Sequence, residues 1–274
     1  SYFFPLSILF FLKVENKKNI KYLYLSIISL ILCCYIRYYY CIFYVFYLYF
    51  IISNLKIKYL INTLVLSFCF SIPALIYFFY VLDNSSFLSN LKSFGTLNFL
   101  SSSLVILTII LFYIIPFILN DKSKIFFYYK RKPVKIFIFF IISIIIYFLD
   151  KFYFTNLIFI SDRGGGVFIK FFELLNFKEN LLVIIFAILS LLLLDYFFKK
   201  NRFNNYILLL TLFCSLPILT IYQKYLDPLF LILLFGLFKS DNLSKLVIEE
   251  TIAIKYILFY FFSFYIFSVL YYLR

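Results

Sequence analysis

Apolar runs far too long for β-strands follow one another along this chain, separated by short lysine-rich connectors. No charged residue lies between Lys58 and Asp83, between Lys92 and Asp121, between Lys135 and Asp150, or between Lys255 and Arg274. About 20 apolar residues in a helix rise ~30 Å, the thickness of bilayer hydrocarbon, so runs of this kind read as membrane-crossing helices. A water-soluble fold fails on its surface. The 274 residues are 65% hydrophobic and 14% charged, where a soluble domain has about a quarter charged. A lipid solvent removes the need for a polar exterior and favours helices, which satisfy their own backbone groups. The expected fold is therefore all-α, a polytopic transmembrane helical bundle forming a single domain over residues 1–274.

The candidate spans are 1–12, 22–36, 38–53, 59–82, 98–119, 136–149, 181–197, 205–222, 227–238 and 256–272, which makes nine or ten crossings. The run from Tyr22 to Ser53 carries one charge, Arg37. Arginine at mid-bilayer costs roughly 2.5–3.5 kcal/mol, so the run is predicted to be a hairpin of two short spans with Arg37 at the turn. Loop charges agree with that division. Connectors 13–21, 54–58, 121–135, 195–202 and 239–255 carry nearly all of the net charge of +14. Arg37, segments 83–97, 150–180 and 223–228, and terminal Arg274 carry the small remainder. Cationic loops stay on the side of synthesis, which puts the first set in the cytoplasm and the second outside, in an inner (cytoplasmic) membrane of bacterial type.

Several chemistries are excluded by what is missing. The chain has no His, which removes histidine bases, histidine metal ligands and Ser-His-Asp arrangements. It also has no Met, so a partial or processed chain is expected. Cys33, Cys34, Cys41, Cys69 and Cys214 lie inside apolar runs without CxxC spacing and read as small buried hydrophobes. Nucleic acid is not an expected partner, because the basic residues sit between apolar runs instead of forming one stripe. No cofactor is indicated by any motif. The 42 Phe and 27 Tyr partly reflect the codon bias of an AT-rich genome, and tyrosines flanking spans suit the headgroup layer.

Two outer segments carry the candidate chemistry. Arg163 is followed by Gly164, Gly165 and Gly166, three of the five glycines in the chain. Consecutive glycines allow close backbone approach, and their N–H groups ahead of a helix from 167 to 177 suit a phosphate beside Arg163. A plain turn between a strand-like piece at 152–160 and that helix explains the same residues. The second segment, Tyr222-Gln223-Lys224-Tyr225-Leu226-Asp227-Pro228, lies between two apolar runs. Lys224 and Tyr225 are candidate contacts to an anionic lipid carrier, and Asp227 a candidate to position a sugar hydroxyl. A capped turn is the competing explanation, with Asp227 capping a helix opened by Pro228.

Lys224-Tyr225-Leu226-Asp227-Pro228 resembles the outer-facing Arg/Lys-Tyr-x-x-Pro element of the GT-C class of polytopic glycosyltransferases. The glycine cluster followed by this segment is also similar to bacterial membrane proteins of that general kind. The resemblance covers about residues 160–240. It implies transfer of a sugar from a polyprenyl-phosphate carrier to an acceptor on the outer face, with Arg163 and Lys224 near the leaving phosphate. Membrane lipids and a lipid-linked sugar donor are the implied partners. The class also carries an acidic base or metal ligand in its first outer loop, and the chain departs from this pattern. Asp83 lies in an outer loop without matching context, so no catalytic acid and no metal are assigned. A lipid or polysaccharide transporter or flippase is the main alternative. Against it, such proteins show mid-membrane charges and repeats that are not evident here. A non-catalytic membrane subunit is the third reading. Glu249 and Glu250 read as solvated acids, and Asp195 as an ion pair with lysine one turn on.

Overall fold

The computed structural model describes residues 2–17, 19–82, 99–152, 166–174, 181–199, 201–216, 221, 223–240 and 251–272. These residues form helices, turns and short connections, with no strand among them. The α-helices are α1 (Phe3–Lys17), α2 (Ile20–Ile36), α3 (Phe43–Asn54), α4 (Ile57–Leu82), α5 (Phe99–Lys130) and α6 (Pro133–Phe152). They continue as α7 (Gly166–Leu174), α8 (Leu181–Phe197), α9 (Arg202–Ser215), α10 (Gln223–Gly236) and α11 (Thr251–Tyr272). Among the described residues, two stretches are long and apolar enough to cross a membrane, Ile57–Tyr77 and Phe99–Ile118, and five further apolar helices are shorter.

By contacts the chain divides into two compact units. Residues 1–102, 203–219 and 228–238 make the first. Its centre is a reciprocal serine pair. Ser7 Oγ donates to the Ser26 carbonyl and Ser26 Oγ to the Ser7 carbonyl, each at 2.9 Å. Small residues let α1 and α2 approach closely, and buried hydroxyls bind across the seam, as in membrane helix pairs. Tyr47 of α3 hydrogen-bonds Ser7 at 2.9 Å and stacks on Phe11 at 4.6 Å. Gly236 comes so close to α1 that a Cβ there would sit 2.9 Å from Ile8 Cγ2.

The predicted break of the run at Arg37 is present. Asn19 caps α2 by accepting from the Lys21 N–H at 3.1 Å. The helix ends where Arg37 adopts an extended conformation. A 3₁₀ turn, Tyr38–Ile42, then leads into α3. The cysteines are only partly as expected: all are free, but Cys41 and Cys69 are exposed while Cys33 is buried.

Helix α4 meets α2 and α3 through polar groups at helical spacing. Tyr44 donates to the Thr63 carbonyl at 3.3 Å, Tyr35 to the Phe70 carbonyl at 2.6 Å, and Asn62 to the Tyr24 hydroxyl at 3.2 Å. The rest of its surface is apolar and exposed, including Ile61, Val65, Phe68, Ile72 and Ile76.

Residues 103–202, 220–227 and 239–274 make the second unit. Helix α5 is its spine, with Ile106, Ile110 and Ile114 fully buried. Here the structure corrects the connector predicted at 121–135, because α5 continues to Lys130. Asp121, Ile125, Tyr128 and Tyr129 are buried while the residues between them are exposed, so the helical period runs on through the charged stretch. Lys124 pairs with Asp121 one turn earlier at 2.8 Å, which supports the extension. Helix α8 packs on α6 and α7, and Tyr129 donates to the Leu192 carbonyl. Of the strand-like piece expected at 152–160, Phe152 ends α6 and the rest lies outside the described residues.

Candidate functional site

Four elements of the second unit bring polar side chains together inside an aromatic wall. Helix α5 supplies Tyr113, the start of α7 supplies Gly166 and Val167, the first two turns of α10 supply Gln223 and Asp227, and α11 supplies Tyr260 and Phe261. The aromatic wall centres on Phe112, whose ring lies 4.8 Å from Phe264, 5.3 Å from Tyr260 and 6.2 Å from Phe168.

Gln223 organises the cluster. Its Oε1 accepts from the Val167 N–H at 3.1 Å, satisfying a donor in the first turn of α7, and its Nε2 donates to the Tyr113 hydroxyl at 2.9 Å. With its oxygen already accepting, the Tyr113 hydroxyl donates onward to the Asp227 carboxylate. Donors therefore point one way along the chain, from backbone through amide and phenol to carboxylate. The second carboxylate oxygen, Asp227 Oδ1, is buried and has no hydrogen-bond partner among the described residues. A carboxylate oxygen in that state accepts strongly from any hydroxyl or N–H brought to it, because burial without a partner is costly.

Gly166 has a positive φ of 77°, and a Cβ there would meet Ile109 Cγ1 at 2.6 Å. Both facts require glycine, since the left-handed region and the close approach exclude a side chain. Gly166 thus serves to lay α7 against α5 and to present the Val167 N–H to Gln223.

The two segments singled out in the sequence do meet, through Gln223 and Tyr113, neither of which was singled out. Gly166 and Asp227 belong to the cluster. Lys224 and Tyr225 stand on the first turn of α10, and Arg163, Gly164 and Gly165 lie outside the described residues. Asp227 does not cap a helix opened by Pro228. Helix α10 starts at Gln223, which places Asp227 and Pro228 inside it. Pro228 offers no N–H to the Lys224 carbonyl. The clue to Gln223 was its place beside Lys224 as a polar residue in the uncharged stretch after Arg202. Tyr113 had no such mark among so many tyrosines.

Among the described residues no three His, Cys, Asp or Glu side chains converge on a possible metal position. No family model, curated protein or solved structure matches the chain.

Proposed function

We propose that the chain is a multi-span integral membrane protein of a bacterial-type inner membrane, with nine or ten crossings. Its proposed activity is that of a glycosyltransferase using a lipid-phosphate-linked sugar. The membrane reading rests on large apolar side chains exposed along whole helices. Besides α4, the α6 residues Phe137, Phe140 and Ile145 and the α11 residues Leu258, Phe259 and Phe262 are exposed. Water-soluble monomers rarely expose continuous apolar faces beyond a few hundred Å².

The observation that carries the enzymatic reading is the buried, unpartnered oxygen of Asp227, beside a Tyr113 hydroxyl that Gln223 orients. Sugar transfer to a hydroxyl needs an acceptor for that hydroxyl's proton and positive charge at the departing phosphate. Asp227 fills the first role. Lys224, three residues earlier, and Arg163, ahead of the glycine cluster, are assigned the second. Gly164 and Gly165 are assigned to let the backbone approach the phosphate, and Tyr225 to contact the carrier.

The test is sugar transfer from a polyprenyl-phosphate sugar by the purified chain in lipid. Asp227→Asn keeps the side chain's shape and removes its basicity, and it is expected to slow transfer by about a hundredfold or more while the donor still binds. An unchanged rate in Asp227→Asn would remove Asp227 from the chemistry. Passage of the lipid-linked sugar across the bilayer without transfer would put a transporter in place of the enzyme.

A further inference from the structure

A second polar constellation in the same unit takes no part in the site above. About 22 Å farther along α5, at 1.5 Å per residue, the Tyr128 ring is surrounded by cations from three stretches of chain. Lys132 Nζ lies 4.8 Å from the ring centroid, Lys199 Nζ 5.2 Å and Lys135 Nζ 5.8 Å. Arg202 donates to the Tyr128 hydroxyl at 2.9 Å, and that hydroxyl donates to Asp195 at 3.1 Å. Beside the ring opens a cavity of about 650 Å³ lined by Lys124, Phe127, Tyr128, Arg131, Lys132, Tyr196 and Lys199.

Among the described residues, the positive charge in this region is not balanced. The nearby carboxylates already have cations, Asp121 pairing with Lys124 and Asp195 with Lys135. Arg131, Lys132 and Lys199 have no ion-pair partner among the described residues. The Arg202 Nε is buried without an acceptor. Retention of loops in the cytoplasm requires only that such charges be present. It does not require that residues from the end of α5, the α5–α6 turn and the end of α8 converge on one cavity. Like charges gathered this closely repel unless an anion joins them, and a phosphate group, with several acceptor oxygens, matches several ammonium and guanidinium donors at once.

We infer that this cavity binds a phosphate-bearing ligand, its phosphate held by Lys132, Lys199 and Arg131 beside the Tyr128 ring. Exposed Phe126 and Phe127 provide an apolar margin for the remainder of an amphipathic molecule. Phosphate chemistry is shared by lipid headgroups and soluble phosphates, and the test separates the two. It is independent of the assignment of Asp227, because the readout is binding and no probe carries a sugar.

The purified full chain in neutral detergent is titrated with inorganic phosphate and, separately, with a water-soluble short-chain phosphatidic acid, against chloride at matched ionic strength. Binding is read by calorimetry. The inference expects at least one phosphate compound to bind, and the exposed double variant Arg131→Gln/Lys132→Gln to weaken that binding about tenfold or more. A matching double variant at exposed Lys56 and Lys58, Lys56→Gln/Lys58→Gln, should leave it unchanged. Binding of the short-chain lipid alone assigns the cavity to headgroups, and binding of both assigns it to phosphate as such. Binding of neither, or binding indifferent to Arg131→Gln/Lys132→Gln, overturns the inference.

Discussion

Ile57–Tyr77 of α4 and Phe99–Ile118 of α5 are similar in length and both strongly apolar, yet the chain buries 6% of the first stretch and 83% of the second. Their polar residues explain the contrast. On α4, Asn62, Thr63 and Ser67 fall within little more than one turn and meet tyrosine hydroxyls of α2 and α3. That leaves the other faces to isoleucine, valine and phenylalanine, which are exposed among the described residues. On α5, Tyr113 and Tyr128 face separate polar clusters, and the apolar residues Ile106, Ile110 and Ile114 are fully buried. Equal apolarity thus serves two purposes, and the difference is what each helix has for a solvent. One presents its apolar side chains outward, and the other is enclosed by protein.

Replacing a residue on each helix by alanine tests this most sharply. Ile110 is fully buried, and Ile110→Ala should cost roughly 2–5 kcal/mol of stability through the cavity left behind. Val65→Ala on the exposed face of α4 should fall within about 0.5 kcal/mol. Unfolding in detergent measures both, and equal costs would end the distinction. A charge on the exposed face asks the complementary question. Val65→Arg should reduce membrane insertion by about 2.5–3.5 kcal/mol if lipid covers that face, whereas in water the same change would be nearly neutral. The ratio of inserted to uninserted protein in a translocation assay decides.

Smaller effects belong to the seam between α5 and α7. Gly166→Ala should cost roughly 1–2 kcal/mol through its left-handed backbone alone, with the clash at Ile109 adding to it. Restoring room with Ile109→Val in the same chain should recover part of the loss, read as a shift in melting temperature. Tyr113→Phe should cost about 1–3 kcal/mol in the same measurement, because it leaves Asp227 and Gln223 short of a partner while keeping the ring in place.

Much of this arrangement was legible in the amino acids themselves. Helical periodicity and length are local, so each candidate apolar run overlaps a helix, and 181–197 agrees to the residue. The division of Tyr22–Ser53 at Arg37 followed from the cost of one charge in hydrocarbon. Ends marked by charge were less legible. Lysines after Asn120 suggested a connector, but the buried positions 121, 125, 128 and 129 kept their period and α5 continued. The start of α10 was missed for a similar reason, since Asp-Pro looks like a helix opening and the preceding turn carries no stronger signal.

The amino-acid order by itself determined that the chain is helical, which stretches are apolar enough to need hydrocarbon or protein around them, and where the lysines gather. Only the tertiary structure decided that Ile57–Tyr77 is left open while Phe99–Ile118 is enclosed, that Gln223 joins Val167 to Tyr113, and that basic residues of separate segments meet at Tyr128. The physical reason is range. A helix forms from contacts three and four residues apart, whereas Gln223 reaches a partner 110 residues away, and no local pattern encodes a pairing at that distance.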